Sequence, residues 1–162
     1  MSSVTSGDAD ARRRKRRLTN TIKESLRELS IQLSLLNHQV GARLELKDVD
    51  LDCLDLVARY GPLSPSALAR RAGLHPATMT GILDRLERAG WISRDRDPAD
   101  RRAVTLSARR ERAGEILGLY AGMNGSLDRL CAGYSEEELG VLADFLRRTS
   151  EAGHDATEEL SR

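Results

Sequence analysis

The chain has 162 residues and a formal net charge of +1, with 40% hydrophobic but only 3% aromatic residues. That length suffices for one domain with a sizeable core, and the shortage of aromatic residues argues for an aliphatic, helical interior and against a large aromatic-lined enzyme pocket. With no run of about eighteen apolar residues and no apolar signal core at the N-terminus, a cytoplasmic protein without a membrane partner is expected.

Residues 1–17 are polar and end in six adjacent cations, Arg12 to Arg17, so that residues 1–20 carry +4. Like-charge repulsion predicts a flexible basic arm unless a long helix extends into it. A solvated tail, an arm adding phosphate contacts and a nuclear-import signal are all compatible with the composition. From Leu18 the apolar residues fall into rhythm: Leu18, Ile22, Leu26, Leu29, Leu33, Leu36 and Val40 are spaced close to a heptad repeat. The spacing predicts an N-terminal dimerisation helix over 18–46.

Residues 47–106 change character. LKDVDLDCLDLVARY reads as a helix ending at Gly61. Ser64 before Pro65 suits an N-cap followed by proline at the first helical position, and Gly73 ends this short helix where a left-handed backbone costs little. Pro76 opens the next helix, in which Met79, Ile82, Leu83 and Leu86 form one apolar stripe. The other face carries His75, Ala77, Thr78, Thr80, Gly81 and Arg85. Small and hydroxyl residues near a helix start permit close approach to a base edge or phosphate, which makes this helix the candidate for the major groove. After Gly90 the period shortens. Trp91–Arg94 and Ala103–Leu106 read as strands flanking a loop, Asp95–Arg102, in which Pro98 favours a projecting hairpin tip. The wing's candidates for DNA are Arg94, Arg96, Asp100, Arg101 and Arg102: an arginine there can enter the negative minor groove, with an aspartate orienting its guanidinium.

Residues 107–162 form two further helical patterns, read as C-terminal dimerisation helices. Ile116, Tyr120, Met123, Leu127, Leu130 and Tyr134 repeat every three or four residues. So do Leu139, Leu142, Leu146 and Thr149, after a capping box formed by Ser135 and Glu138. Gly114, Gly118 and Gly122 lie four apart on the first of these helices, suiting either a close helix crossing or a bend. Three long apolar seams exceed what one small DNA-reading domain covers, so a homodimer is expected rather than one intramolecular bundle. Charge is divided along the chain: residues 61–110 carry +5 and residues 135–162 carry −5.

The run LSPSALARRAGLHPATMTGILDRLERAGWISRDRDPADRRAVTLS resembles the MarR family of bacterial winged-helix transcription regulators, through DRLERAG, WISR and DPADRRAVTLS above all. The resemblance covers about residues 47–110. It implies a homodimer on a pseudo-palindromic operator in double-stranded DNA, acting as a repressor released by a small aromatic or lipophilic effector. It implies that Arg102 is the minor-groove arginine, that Asp100 orients it, and that Arg94 is the basic residue ending the first wing strand. Three positions depart from the family pattern: Gly81 stands where a polar residue is common, the usual LTxxG after the wing reads LSARR with Ser107 available as a cap, and the helix before Gly61 lacks a glutamine. An effector pocket would lie between the dimerisation helices and the reading head, with Asn37, His38, Tyr60 and Trp91 as candidates to line it.

The fold class expected is therefore mainly α with a small β-hairpin wing, a winged helix-turn-helix with dimerisation helices from both chain ends. No nucleophile–base arrangement, phosphate loop or metal-ligand set appears at recognisable spacing, so neither an enzyme nor a cofactor is expected. The histidines are scattered, and Cys53 and Cys131 read as buried thiols. The alternative is a winged-helix module whose partner is another protein.

Overall fold

A computed structural model describes residues 3–96 and 103–160, and the chain divides into two compact units, Met1–Gln39 and Val40–Arg162. The element order among the described residues is α1 (Ser3–Leu44), α2 (Asp48–Tyr60), α3 (Pro65–Ala72), α4 (Pro76–Arg88), β1 (Ile92–Arg96), β2 (Val104–Ala108), a short 3-10 turn (Arg110–Arg112), α5 (Ala113–Cys131) and α6 (Glu136–Leu160). This is the mainly helical, winged architecture read from the sequence.

The first unit consists of α1 residues, and here the structure differs from the expected flexible arm. The helix runs without a break from Ser3 through the basic run. Arginine and lysine are good helix formers, and at 100° per residue six consecutive cations spread around the whole circumference, each into water. Asp8 pairs with Arg12 at 2.5 Å one turn on, and further along Gln32 donates to Glu28 at 2.9 Å. Beyond the basic run, Leu18, Ile22, Leu29 and Leu33 remain 38–65% exposed.

In the second unit the core is built where the periodicity placed it. Leu51, Leu54 and Val57 of α2, Leu68 and Ala69 of α3, and Met79, Ile82, Leu83 and Leu86 of α4 are buried together with Trp91, Ile92 and Leu106. The Ser64 hydroxyl accepts from the Ala67 N–H at 3.2 Å to cap α3. Gly73 closes that helix at φ 62, a left-handed conformation that favours glycine. Gly61 is required for a different reason: a Cβ there would meet the Val57 carbonyl oxygen at 2.5 Å.

The hairpin is antiparallel, pairing Ile92 with Ala108 through Arg96 with Val104. Each strand extends two residues beyond its sequence reading, and the second runs on through Ser107. Ser107 therefore sits in a strand instead of capping a helix, and α5 begins only at Ala113. Leu63 adds a bridge to the hairpin, exchanging backbone hydrogen bonds with Leu106 at 3.2 and 2.8 Å. The capping box on α6 forms: the Ser135 hydroxyl accepts from the Glu138 N–H while Glu138 accepts from the Ser135 N–H at 2.8 Å. No residue of α5 or α6 is buried, and a Cβ at Gly114, Gly118 or Gly122 would meet open space, so no helix crosses closely over them among the described residues.

Candidate nucleic-acid interface

The turn between α3 and α4 is three residues long, Gly73 to His75, and sets α4 with its apolar stripe inward and its polar face outward. His75 is the N-cap of α4: its Nδ1 accepts from the Ala77 N–H at 3.2 Å, and the residue is exposed. Ala77, Thr78 and Thr80 follow on the exposed face. The Thr80 hydroxyl reaches the Pro76 carbonyl at 3.4 Å, a long hydrogen bond. Four of the residues expected on this surface thus share one open face at the start of one helix.

Arg85 does something else. Its Nε and Nη2 donate to the two carboxylate oxygens of Asp50 at 2.9 and 2.7 Å, a fork that joins α4 to α2. The Asp50 side chain is 2% exposed and that of Arg85 38%. The hydrogen bonds from the guanidinium to Asp50 raise the Arg85 pKa above its ordinary value. Arg85, expected on the DNA face, is committed to a buried carboxylate. Sequence reasoning missed this pair because its members lie 35 positions apart. A signal was present nonetheless: Asp50 falls on the same stripe of α2 as Leu54 and Val57, where a charge needs a partner.

Arg94 is also engaged within the protein, pairing with Asp84 and lying with its Nε 3.1 Å from Glu87. Both acids belong to α4, so Arg94 fastens the first wing strand to the helix. Arg96 ends β1 and is exposed. Asp100, Arg101 and Arg102 lie outside the described residues.

A second lock joins the head to α5. Arg112 donates to the Ala89 carbonyl at 2.6 Å and to both carboxylate oxygens of Glu115 at 2.8 Å. Its guanidinium carbon stands 3.5 Å from the centre of the Trp91 ring, a cation–π arrangement. Trp91 is 2% exposed. It is a core residue under an arginine lid and cannot line an open effector pocket.

The other three pocket candidates divide between the units. Asn37 is half-buried and His38 exposed, both on α1 in the first unit. Tyr60 is exposed in the second, with the Arg71 guanidinium 4.2 Å and the Arg59 guanidinium 5.8 Å from its ring centre. Tyr60 and Arg71 border a cleft of about 410 Å³ shared with Leu56 and with Gly153 and His154 of α6. Among the described residues no group of His, Cys, Asp or Glu could hold a metal ion, and no helix is long and apolar enough to cross a membrane.

A capped outer helix over an apolar core, preceded by a short helix and a three-residue turn and followed by an antiparallel hairpin, defines a winged helix-turn-helix. Residues 46–104 match the MarR family, and through this segment the chain is similar to that family. The likeness extends well beyond the segment. An uncharacterized HTH-type transcriptional regulator of Bacillus subtilis, YcgE, is 29% identical over 145 residues, 90% of this chain and 94% of that one. The HTH-type transcriptional repressor YetL of the same organism is 32% identical over 92 residues, 54% of this chain and 55% of that one. Among solved structures, MarR is similar at a TM-score of 0.54 and 26% identity, over 82% of this chain and 96% of that one. Streptococcus pneumoniae FabT in complex with DNA shares the fold at a TM-score of 0.65 and 20% identity, over 85% of this chain and 99% of that one. The relatives' names describe transcriptional regulators rather than enzymes.

Proposed function

We propose that this chain is a homodimeric, sequence-specific transcriptional repressor that reads an inverted repeat in double-stranded DNA. The observation that carries the reading is the outer face of α4, where His75, Ala77, Thr78 and Thr80 stand exposed at the N-terminal end of a helix whose opposite side is core. Residues at the start of a recognition helix are the ones that meet base edges in the major groove. Arg96 and the wing residues Asp100, Arg101 and Arg102 supply the adjoining contact, with Arg102 in the minor groove and Asp100 orienting it. Arg85 and Arg94 act behind this surface, holding α4 to α2 and to the wing.

Dimerisation is supported by the uncovered apolar residues of α1, α5 and α6, among them Leu18 at 65%, Leu117 at 62% and Val141 at 67% exposure. Helices with such faces need a partner, and a second copy supplies matching seams. Release by a small aromatic or lipophilic effector completes the proposal. Tyr60 beside Arg71 offers a ring face and a cationic group suited to an aromatic acid. Selection of bound fragments from the organism's own genome, followed by footprinting with and without small aromatic acids, tests it. The expected result is a symmetric footprint that the right acid abolishes. A single asymmetric half-site protected by one subunit would refute the symmetric reading.

A further inference from the structure

The strongest charge concentration in the chain is not in the winged segment. Arg12, Arg13, Arg14, Lys15, Arg16 and Arg17 are consecutive, all exposed, and lie within one continuous helix. Asp8 neutralises Arg12 at 2.5 Å, and the next acidic residue after the run is Glu24. Six helical residues span roughly 9 Å, so the cation density along this stretch is comparable to the phosphate density of a duplex, about one charge per 1.7 Å of axis.

The segment also lacks what would give it a different role. Between Asp8 and Arg17 the only apolar residues are Ala9 and Ala11, and both are exposed. It therefore has no apolar stripe to bury in another helix and none to sink into a lipid interface, which an amphipathic membrane helix requires. Its cations point to every side of the axis, an arrangement suited to diffuse phosphate contact rather than to one acidic pocket. Arginine supplies five of the six, and its planar fork matches phosphate oxygens better than lysine does.

We propose that the N-terminal part of α1, residues 8–17, is a second nucleic-acid-binding element that contacts the phosphate backbone of duplex DNA without reading its sequence. This deepens the DNA-binding reading above and rests on it for the identity of the polymer. The element contributes affinity and salt dependence, while α4 and the wing contribute preference among sequences.

The test compares the full chain with Arg13, Arg14, Arg16 and Arg17 all changed to Gln, which keeps helix propensity close to that of arginine, and with the same four positions changed to Lys, which keeps the charge. Affinity for an operator duplex and for a scrambled duplex of equal length is measured across a salt series. Each phosphate that the protein no longer neutralises makes the log–log slope shallower by about 0.9. The Gln variant should show a slope shallower by roughly 2 units or more on both duplexes, with its operator-to-scrambled affinity ratio unchanged, and the Lys variant should keep most of the slope. An unaltered slope in the Gln variant, with operator binding intact, overturns the proposal and leaves the repressor reading standing. If the full chain shows no preference for any operator yet binds duplex with a slope that depends on these arginines, the proposal stands and the sequence-specific reading fails. Vesicles of phosphatidylglycerol and phosphatidylcholine form the last arm. Arginine-dependent vesicle binding with no change in DNA slope assigns the segment to membranes and also overturns the proposal.

Discussion

A carboxylate that is 2% exposed survives in an apolar interior only because something charged meets it, and for Asp50 that partner is the Arg85 fork. Breaking such a pair leaves an uncompensated charge, which costs more than forming the pair gains. Arg85→Met should lower stability by about 3 kcal/mol, the lower end for a buried pair because the guanidinium is partly solvated, as read from urea denaturation at neutral pH. Arg85→Met combined with Asp50→Leu should recover much of that loss, whereas two independent contributions would add. A neighbouring set of acids behaves in the opposite sense. Asp52 and Asp55 are exposed at the surface, yet partial desolvation by the chain packed around them raises their pKa, and Asp48 beside the first and Asp52 beside the second raise them further. Burial, and then the Asp55 and Asp52 carboxylates, also raise the Tyr120 phenol. Folded Asp52 and Asp55 thus hold protons more tightly than the unfolded chain does, so their contribution disfavours folding once both are ionised. The penalty fades as pH falls from the raised values to the ordinary range near 3.9. Asp52→Asn should raise the urea midpoint at pH 7 and do little at pH 4, so an equal gain at both would rule out this cause. Cys53 is buried, and burial together with Asp52 and Asp50 pushes its thiol up to about 11, so it should resist alkylation at pH 8 until the protein unfolds.

Elements were legible where their signals are local. The Ser64 cap, the Gly73 stop, the Pro76 start and the Ser135–Glu138 box each involve residues within four positions, and each forms as read. Signals that depend on a distant strand or helix were not legible. The hairpin's length is set by pairing across it and by the Leu63–Leu106 bridge, so the strands outran their apolar runs and took Ser107 with them. Trp91 looked available for a ligand because the Arg112 lid lies 21 positions away; Arg85 and Arg94 looked available for DNA because nothing short-range announced Asp50 or the two acids of α4. The proposed interface predicts a sharp contrast between neighbouring arginines. Arg102→Ala should weaken operator binding by more than about 1 kcal/mol while leaving the thermal midpoint unchanged, since its proposed partner is DNA. Arg94→Ala should loosen the wing from α4 and lower that midpoint together with affinity. Thr78 exchanged for a bulky residue should change which sequences a binding selection recovers. If Thr78 tolerates every substitution with the same recovered sequences, α4 does not read bases there.

At the scale of the molecule, the unburied α5 and α6 and the exposed seam of α1 are the features a lone chain leaves unexplained. Exposed residues such as Leu127 at 49%, Leu130 at 64% and Leu146 at 53% recur at helical spacing along faces with no partner in the described chain. An obligate homodimer buries upward of about 2,000 Å², and three seams per chain are ample for that. The protein should sediment near 36 kDa, about twice the 17.9 kDa chain, and Leu127→Glu should shift it to a monomer without unfolding the winged segment, whose core does not involve α5. In the proposed dimer, assembly and DNA recognition are coupled through symmetry. Two copies related by a two-fold axis would present two α4 helices in opposite senses, so the expected site is an inverted repeat with half-site centres about one helical turn, roughly 10–10.5 bp, apart. Inserting five base pairs between the half-sites turns one to the opposite side of the duplex. Affinity should then fall toward that of scrambled DNA, whereas a ten-pair insertion restores facing but doubles the span, which a rigid dimer cannot bridge. Equal affinity for the native and five-pair spacings would mean that each subunit binds alone. In that event Leu127→Glu should leave operator affinity unchanged, and the two measurements together separate a dimer that reads DNA from a dimer that merely forms.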